Sequence, residues 1–296
     1  MIIQKRVLFV INPFAGGQDK TGFISSLEDY SLKYYFTCKI YLTTGEADKR
    51  KITEMLEEFG PAVVIAVGGD GTCNLVGSLL VSTDRIMGIV PMGSANGLAT
   101  ELKLNMQPDL AMQTIITGTR KKMDVILINN ENHCFHLSDF GFNASIIKRF
   151  KKDKTRGLIG YAKQFLKELF FFKPSRYTIK TGDQTIRKKA HLVAVANASQ
   201  YGTGVVINPG GEMFDGFFEV CIVKPYPWWA VLKLAFDFMT GRGKHSQYLR
   251  IFRATKVQII NNKLQPFHID GELFEHVKEI EAVILPGALN IIVNDQ

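Results

Sequence analysis

Three glycine-rich loops carry residues whose types and spacing could do chemistry: residues 12–17 (NPFAGG), 68–72 (GGDGT) and 91–97 (PMGSANG). Each loop follows an apolar run that is typical of a strand. In a parallel sheet the three loops would lie at one carboxyl edge, where ligands bind. Glycine lets a ligand approach the backbone, and N–H groups at helix N-termini bind phosphate oxygens. One such loop often only turns the chain, but three at one edge indicate a phosphate site.

Asp70 lies in the middle of the second loop. A carboxylate repels phosphate unless a cation lies between them, and Mg²⁺ usually binds through one or two carboxylates plus substrate phosphates. The loop therefore predicts a metal–nucleotide complex, and Asp70 could also cap a helix that begins near Thr72. The Walker pattern GxxxxGK[ST] is absent, as is GxGxxG after the first strand. These absences argue against an ordinary P-loop protein and a simple dinucleotide-binding fold.

The elements that must position these loops alternate between strands and helices over the first 125 residues. Continuous Val/Ile runs are typical of parallel strands that are buried on both faces by helices. The patterns predict strands at Arg6–Ile11, Lys39–Thr43, Ala62–Val67 and Arg85–Val90, and helices at Ala47–Phe59 and Pro108–Thr117. We expect an α/β domain over residues 1–125.

After residue 125 the pattern changes to short strands separated by turns, which predicts an antiparallel second domain of two packed sheets over residues 126–296. Two helical segments, 158–173 and 227–241, interrupt it. Each segment either buries a stripe against the sheets or dips an apolar face into lipid. A basic cluster at residues 148–156 either is solvated or contacts an anionic membrane.

Bulk composition bounds the classes of protein that are compatible with the chain. Its 296 residues are 46% hydrophobic and 22% charged, as in folded globular proteins. The net charge of +8 favours acidic partners. Four widely spaced cysteines predict reduced thiols and a cytoplasmic protein. No run approaches the ~18 apolar residues of a membrane span, so we expect any membrane contact to be peripheral.

The ordered set NPFAGG, GGDGTCN, PMGSANGLA, MDV, YGTGVVINPGGEMFDGFFEV and HIDGE resembles the diacylglycerol kinase catalytic family. That family includes bacterial soluble lipid kinases and the sphingosine and ceramide kinases. The resemblance covers nearly the whole chain. It implies an α/β nucleotide-binding domain and an antiparallel β-sandwich lipid-binding domain, with ATP in the inter-domain cleft and the last strand able to return to the first domain.

The resemblance also implies roles for individual residues. The nucleotide contacts would be Asn12, Pro13, Phe14, Ala15, Gly16, Thr44, Gly68, Gly69, Asp70, Gly71, Thr72, Cys73, Asn74 and Ser94. Asp70 and Asp124 would be acidic groups arranged through water and Mg²⁺. A structural Mg²⁺ site would map to Asp215, with backbone oxygens of Glu212 and Phe217.

The HIDGE stretch supplies a proton acceptor for a lipid hydroxyl. Asp270 and Glu272 are two apart, so in an extended segment they face the same side. The resemblance favours Glu272 as the acceptor with Asp270 beside it. Alternatively, Asp270-Gly271 forms a hairpin turn.

Two positions depart from the family pattern: Leu75 stands where a Glu is usual and Gly97 where an Asp is usual. These departures bear on how the nucleotide and lipid headgroup are oriented. The form PMGSANGLA is closer to the sphingosine-kinase style of the motif, which hints at a sphingoid-base substrate.

The leading interpretation is an ATP- and Mg²⁺-dependent lipid kinase of phospholipid metabolism. It would transfer the γ-phosphate to diacylglycerol or a sphingoid base, at the inner membrane surface and without nucleic acid; a homodimer is left open. The alternatives are an NAD kinase-like phosphotransferase, suggested by GGDGT, and a non-catalytic lipid- or nucleotide-binding protein.

Overall fold

The chain folds into two compact units, seen in a computed structural model that describes residues 5–141, 168–202 and 204–295. The first unit comprises Met1–Met123 and Gly287–Gln296, and the second comprises Asp124–Pro286. The end of the chain therefore belongs to the first unit. The basic cluster at 148–156 and the greater part of segment 158–173 lie outside the described residues.

The first unit is built on a five-stranded parallel sheet in the order β14–β4–β3–β1–β2. Its strands are β1 (Arg6–Ile11), β2 (Thr37–Leu42), β3 (Val63–Gly68), β4 (Ile86–Pro91) and the end of β14 (Glu272–Val293). Val63 is central, paired with Val7 on one side and with Ile86 on the other. The loops after β1, β3 and β4 consequently leave the sheet at one edge, as predicted.

Helices cover this sheet: α1 (Thr21–Lys33), α2 (Asp48–Phe59), α3 (Asp70–Leu80), α4 (Gly97–Glu101) and α5 (Pro108–Thr117). Val7 and Phe9 pack in one cluster with Phe23 of α1. Leu8 and Val10 point to the opposite face because side chains alternate along a strand, and they too are completely buried. Burial on both faces explains the continuous apolar runs.

The second unit is antiparallel. Its main sheet has the order β12–β11–β10–β7–β13–β14, and β8–β9 and β5–β6 are attached to it. The strands are β5 (Thr119–Ile128), β6 (Asn132–Cys134), β7 (Leu137–Gly141), β8 (Ser175–Thr181), β9 (Gln184–Ala190), β10 (Leu192–Ala196), β11 (Phe218–Val223), β12 (Leu249–Ala254) and β13 (Lys256–Ile269). The predicted fold class, α/β followed by an antiparallel β domain, is confirmed.

Two apolar clusters hold the second unit together. Val193 and Val195 of β10 face the cluster inside the strands. Leu192 and Ala194 face the other way, toward a helix, α6 (Val231–Met239), and pack in one cluster with its Leu234. Among the described residues, no helix combines the length and apolar character that crossing a bilayer would require.

Candidate active site

The three glycine-rich loops of the first unit pack against one another through glycine. A Cβ added to Gly93 would overlap Gly69 Cα and lie 2.8 Å from Asn96 Oδ1. A Cβ on Gly16, whose φ is +67°, would lie 2.7 Å from the Met92 carbonyl oxygen. These neighbours are mostly backbone atoms that cannot rotate away. Glycine is therefore required for the loops to meet at all.

Beside the first two loops lies a cavity of about 240 Å³. Five of the predicted nucleotide contacts line it: Asn12, Phe14, Thr44, Gly71 and Thr72. Four residues that were not predicted as nucleotide contacts complete the lining: Thr43, Gly45, Asp48 and Leu75. Phe14 is 81% exposed. With Leu75 it gives the cavity an apolar side, whereas Thr44 and Asp48 give it a polar one. Leu75, the departure from the family pattern, is thus a wall of this cavity.

The remaining predicted nucleotide contacts lie in the same loops but do not line the cavity. Gly68 and Gly69 form the turn from β3 into α3, and Cys73 is buried within α3. The Asn74 side chain accepts a hydrogen bond from Ser78 Oγ at 3.4 Å. Ser94 is exposed in the third loop, and Pro13, Ala15 and Gly16 continue the first. Their contact with a nucleotide stays a prediction.

Asp70 connects the second loop to the third. Its Oδ2 accepts a hydrogen bond from Gly97 N at 2.9 Å and its Oδ1 accepts one from Leu98 N at 3.0 Å. The carboxylate thus caps the first turn of α4 rather than the helix in which it lies. Position 97 contributes its backbone amide to this contact, which a glycine supplies as well as any residue.

Asp48 organises the loop that carries Thr44, and sequence reasoning missed it. Its carboxylate accepts hydrogen bonds from Thr44 N at 2.9 Å, Gly45 N at 2.8 Å and the Tyr41 hydroxyl at 2.6 Å. Burial and the neighbouring carboxylate raise the pKa of Tyr41 to about 12, so the hydroxyl remains a donor. The signal in the sequence was the aspartate four residues after Thr44, which begins the Thr-Gly pair.

Lys20 was also missed, because it is the last residue of the segment 12–20, whose sequence indicates only a loop. Its side chain is 3% exposed, and Nζ donates to the carbonyl oxygens of Ala15 and Gln18, the latter at 3.0 Å. Desolvation lowers the pKa of Lys20 from its usual value. The residue places an amine directly beneath the first glycine-rich loop, where it favours bound anions.

In the second unit, Asp270 and Gly271 form a two-residue hairpin turn between β13 and β14. Ile269 pairs with Glu272, and the turn residues have φ values of +47° and +87°, as a type I′ turn requires. The expectation that Asp270 and Glu272 share one side of an extended segment is therefore wrong. The Asp-Gly dipeptide makes a turn, which was the alternative.

The Asp270 carboxylate is engaged by a neighbouring stretch of backbone. It accepts hydrogen bonds from Phe135 N at 2.8 Å, His136 N at 3.0 Å and Leu137 N at 3.1 Å, and from the Cys134 thiol. Burial raises the pKa of Cys134, which keeps the thiol protonated as a donor. These contacts fix the hairpin in place. The geometry supports a positioning role for Asp270, and its part in proton transfer stays a prediction.

Glu272 has the opposite surroundings. It is the first residue of β14 and is exposed. Within the part of the chain that the structure describes, its carboxylate makes no hydrogen bond or ion pair. A carboxylate on a rigid turn with its oxygens open is suited to receive a proton from a bound hydroxyl.

A buried polar network supports the hairpin, and sequence reasoning missed it. His268 Nδ1 accepts a hydrogen bond from Gly271 N at 3.3 Å, which leaves Nε2–H to donate to Asp139 Oδ2 at 2.6 Å. The Tyr201 hydroxyl donates to the same oxygen at 2.7 Å. His268 and Asp139 are 2% and 0% exposed. The residues are 129 positions apart, so no local pattern pointed to them.

An arginine on strand β12 contacts the loop that was predicted to hold a structural Mg²⁺. Asp215 accepts a hydrogen bond from Phe217 N at 3.1 Å and forms an ion pair with Arg253. Arg253 Nε also pairs with Glu219 at 3.2 Å. Burial raises the pKa of Glu219. The guanidinium thus supplies the positive charge at Asp215, so the residues do not fit a divalent cation there.

The other predicted metal residues are Asp124 and Glu212, and the role of Asp124 beside Asp70 stays a prediction. Asp124 is 2% exposed, and its carboxylate accepts a hydrogen bond from Gly216 N at 2.6 Å. Glu212 is exposed. Across residues 5–141, 168–202 and 204–295, no three His, Cys, Asp or Glu side chains cluster as a metal site. Asp124 and Asp215 hold the shape of the 212–217 loop.

We expect EDTA to leave the thermal unfolding midpoint of the protein unchanged, because Arg253 rather than a metal balances Asp215. Arg253→Met should lower the free energy of unfolding by about 1 kcal/mol, since the arginine is half exposed while Glu219 is buried. Arg250→Met, on the same strand, is the control. Differential scanning calorimetry with Mg²⁺ and with EDTA measures both effects. Destabilisation of the unmodified protein by EDTA would contradict the assignment.

Two family models match the chain. The model of the diacylglycerol kinase catalytic domain matches residues 6–128. The model of the YegS C-terminal NAD kinase beta sandwich-like domain matches residues 138–293. Together they span both units.

Named relatives and a solved structure agree with these matches. The chain is 27% identical over 256 residues to a protein of Chromohalobacter salexigens named "Probable lipid kinase YegS-like", with 84% of this chain and 82% of that one covered. It is 27% identical over 192 residues to "Lipid kinase YegS" of Escherichia coli K12, covering 63% and 64%. A diacylglycerol kinase structure from Bacillus anthracis str. Sterne has a TM-score of 0.74 at 20% identity, with 99% and 98% covered. The structure supports the fold.

Proposed function

Because the chain belongs to the lipid kinase family that joins a diacylglycerol kinase catalytic domain to a YegS-type C-terminal domain, we propose that it transfers the γ-phosphate of ATP to the hydroxyl of a membrane lipid. The chain is a kinase by family. What we propose beyond the family is that the donor is ATP, that the metal is Mg²⁺ and that the acceptor is a diacylglycerol or sphingoid base. The observation that carries the proposal is the cavity of about 240 Å³ lined by the first two glycine-rich loops, against which the third loop packs.

The donor half of the reaction belongs to the first unit. The cavity offers the Asn12 side chain, the hydroxyl groups of Thr44 and Thr72, and the backbone at Gly71. Lys20 adds a buried amine beneath the first loop. These groups suit a polyphosphate, and the apolar pair Phe14 and Leu75 suits a nucleobase. This division of polar and apolar surface supports ATP as the donor.

Asp70 is the residue of the first unit that would hold Mg²⁺. A nucleotide-bound Mg²⁺ requires only one or two protein carboxylates, because phosphates and water complete its shell. Asp70 is half-buried beside the loops and already ordered by Gly97 and Leu98, so it fits this role. Bound Mg²⁺ would neutralise charge on the phosphate being transferred.

The acceptor half belongs to the second unit. The lipid hydroxyl oxygen forms a bond to the γ-phosphorus while the bond from that phosphorus to the β–γ bridging oxygen breaks, which releases ADP. The hydroxyl proton passes to the Glu272 carboxylate. The Asp270 contacts and the His268–Asp139 pair hold the hairpin that presents Glu272. We include peripheral binding at the inner membrane surface in the proposal, because a diacylglycerol or sphingoid base resides in a bilayer.

Phosphorylation of NAD is the second candidate function. The second unit matches a domain described as NAD kinase beta sandwich-like. NAD is water-soluble and requires no apolar surface, whereas the second unit exposes one. That surface favours the lipid.

Labelled ATP, Mg²⁺ and a total membrane lipid extract test the proposal directly. We expect label in the lipid fraction, on diacylglycerol or a sphingoid base, and none on NAD in a parallel reaction. Label on NAD would select the second candidate. ATP binding without transfer to either acceptor would indicate a non-catalytic binding protein.

Gly71→Ala tests the donor site in the same assay. A Cβ at Gly71 meets no atom within 4 Å, and alanine favours the helix, so the fold should be retained. The methyl group would nevertheless enter the space beside the cavity and lower ATP affinity by about tenfold, the effect of modest overpacking. Gly22→Ala, in α1 and equally open, is the control. Equal ATP affinity in the two variants would contradict the donor site.

A further inference from the structure

One helix of the second unit exposes a broad apolar surface, which we call the α6 face. It consists of Trp228, Trp229, Leu232, Phe236 and Met239, and their exposed fractions are 77, 64, 69, 53 and 65%. The two tryptophans lie in the 3-10 turn Trp228–Ala230 that leads into α6. Large apolar side chains exposed as a group mark an interaction site more often than isolated ones do.

The α6 face is additional to the stripe that α6 needs for folding. Val231, Leu234 and Phe238 are almost fully buried and belong to the core of the second unit. Residues 232, 236 and 239 recur at helical spacing on the opposite side. The helix is therefore apolar around most of its circumference, and the core accounts for half of it. Of the two alternatives for segment 227–241, burial of a stripe against the sheets describes one face of this helix. Contact of an apolar face with lipid concerns the opposite, exposed face.

Basic side chains flank the α6 face along residues 228–245, and the one acidic side chain of that segment is buried. The Arg242 guanidinium carbon lies 5.6 Å from the centroid of the Phe236 ring. Lys233 and Lys244 are exposed. Asp237 is the one acidic residue between positions 228 and 245, and it is 5% exposed and bonded to Lys233 Nζ at 2.7 Å. The surface is thus apolar in the middle and positive around it.

A second exposed aromatic pair is anchored to the same core. Phe171 is 76% exposed and Phe170 is 45% exposed. The residue before them, Leu169, is buried in the cluster that also contains Leu234, and its carbonyl accepts a hydrogen bond from the Tyr226 hydroxyl at 2.7 Å. The described part of the second unit therefore presents two sets of exposed aromatic side chains.

We infer that the α6 face docks the protein on the surface of an anionic lipid bilayer. Tryptophan prefers the boundary between headgroups and acyl chains, where its ring is apolar and its N–H stays wet. A helix with an apolar face and basic neighbours lies in that boundary, and each nearby Lys or Arg adds attraction to anionic lipid. The charge pattern complements an anionic membrane. The inference extends the proposed function and rests on it, because the choice of a lipid bilayer as the partner of the α6 face follows from a lipid substrate.

Tryptophan fluorescence tests the inference, because Trp228 and Trp229 are the two tryptophans of the chain. In buffer we expect emission typical of water-exposed indole. Vesicles of phosphatidylglycerol and phosphatidylcholine should shift the emission to shorter wavelength, and brominated acyl chains should quench it. Vesicles of phosphatidylcholine alone, or added salt, should weaken the shift.

Variants that retain both tryptophans give a quantitative test. Leu232→Ser or Met239→Ser should each reduce partitioning onto the anionic vesicles by about tenfold, as expected for losing one buried apolar side chain. Arg242→Gln with Lys244→Gln should reduce it in the same direction. Leu32→Ser is the matched control, since Leu32 is 70% exposed on α1 of the first unit. Thermal unfolding of each variant verifies its fold.

Three results would overturn the inference: an emission unchanged by anionic vesicles, a blue-shifted emission in buffer alone, or a shift that follows protein concentration without vesicles. The last two would mean that another segment or a second copy covers the face. Turnover of a short-chain, water-soluble diacylglycerol without vesicles separates this outcome from failure of the proposed function. Retained turnover with no vesicle effect rejects the docking alone, whereas vesicle binding without phosphorylation of any lipid rejects the kinase reaction alone.

Discussion

Glu272→Gln is expected to lower kcat for lipid phosphorylation by about 10²–10⁴-fold, the usual contribution of a general base. Glutamine has almost the same size but cannot receive the hydroxyl proton. Glu272 is exposed and, among the described residues, unpaired, so the thermal midpoint and the affinity for ATP should stay unchanged. Single-turnover transfer of label from ATP measures the rate, and equilibrium binding measures ATP affinity.

Glu279→Gln is the matched control for this prediction. Glu279 lies on the same strand, and its side chain accepts a hydrogen bond from Gln258, which glutamine can also accept. We expect unchanged turnover. A Glu272→Gln enzyme that is as active as the control would remove Glu272 from the mechanism and leave the lipid hydroxyl to another acceptor.

His268→Phe is expected to lower the free energy of unfolding by about 1–3 kcal/mol, because it leaves the buried Asp139 carboxylate without one of its hydrogen-bond donors. Asp139 would retain the Tyr201 hydroxyl at 2.7 Å but lose the imidazole at 2.6 Å. Gly271 N would lose its acceptor. Urea denaturation measures the loss, and His245→Phe, an exposed histidine, should cost almost nothing.

The same variant separates positioning from stability. His268 acts on Glu272 through the hairpin, so kcat should fall below that of an equally destabilised core variant while KM for ATP is unchanged. Combining His268→Phe with Asp139→Ala should cost less than the sum of the single losses, since no charge is then left unpaired. A loss below about 1 kcal/mol for His268→Phe, or additive losses in the double variant, would refute the buried pair.

Much of the first unit could be predicted because its strands are apolar on both faces. Val63–Gly68 is entirely buried. A continuous apolar run of this length, followed by a glycine-rich loop, predicts a buried parallel strand. The bounds of Pro108–Thr117 were predicted as observed, because proline begins a helix well and glycine follows the end. Helix α1 was missed: of its 13 residues only Phe23 and Leu27 are buried, which is a weak stripe.

The site was less predictable than the fold, for a physical reason in each case. Glycine-rich loops have a local signature, so Asn12, Gly71 and their neighbours were found. For Asp270 the sequence left an extended segment and an Asp-Gly turn as alternatives, and the pairing of Ile269 with Glu272 decides for the turn. Asp48 and Lys20 bond to groups no more than seven positions away, and nothing in their residue types marks those hydrogen bonds. His268 bonds to Asp139, which is 129 positions away and is brought near only by folding. Leu75 stood out only as a departure from the family pattern, because an apolar side chain carries no chemistry that identifies a site residue.

The long strand β14 has a consequence for how the protein is made. Its first part pairs with β13 in the second unit, while Asn290 and Ile291 pair with β4 in the first. The Asn290 side chain bonds Arg120 and the Thr83 carbonyl, and Ile292 joins the core of the first unit. During synthesis the residues before 124 therefore emerge without one strand of their sheet. The first unit gains this strand only after every residue of the second unit has been made, so we expect a chain that stops at residue 286 to lack one strand of the parallel sheet.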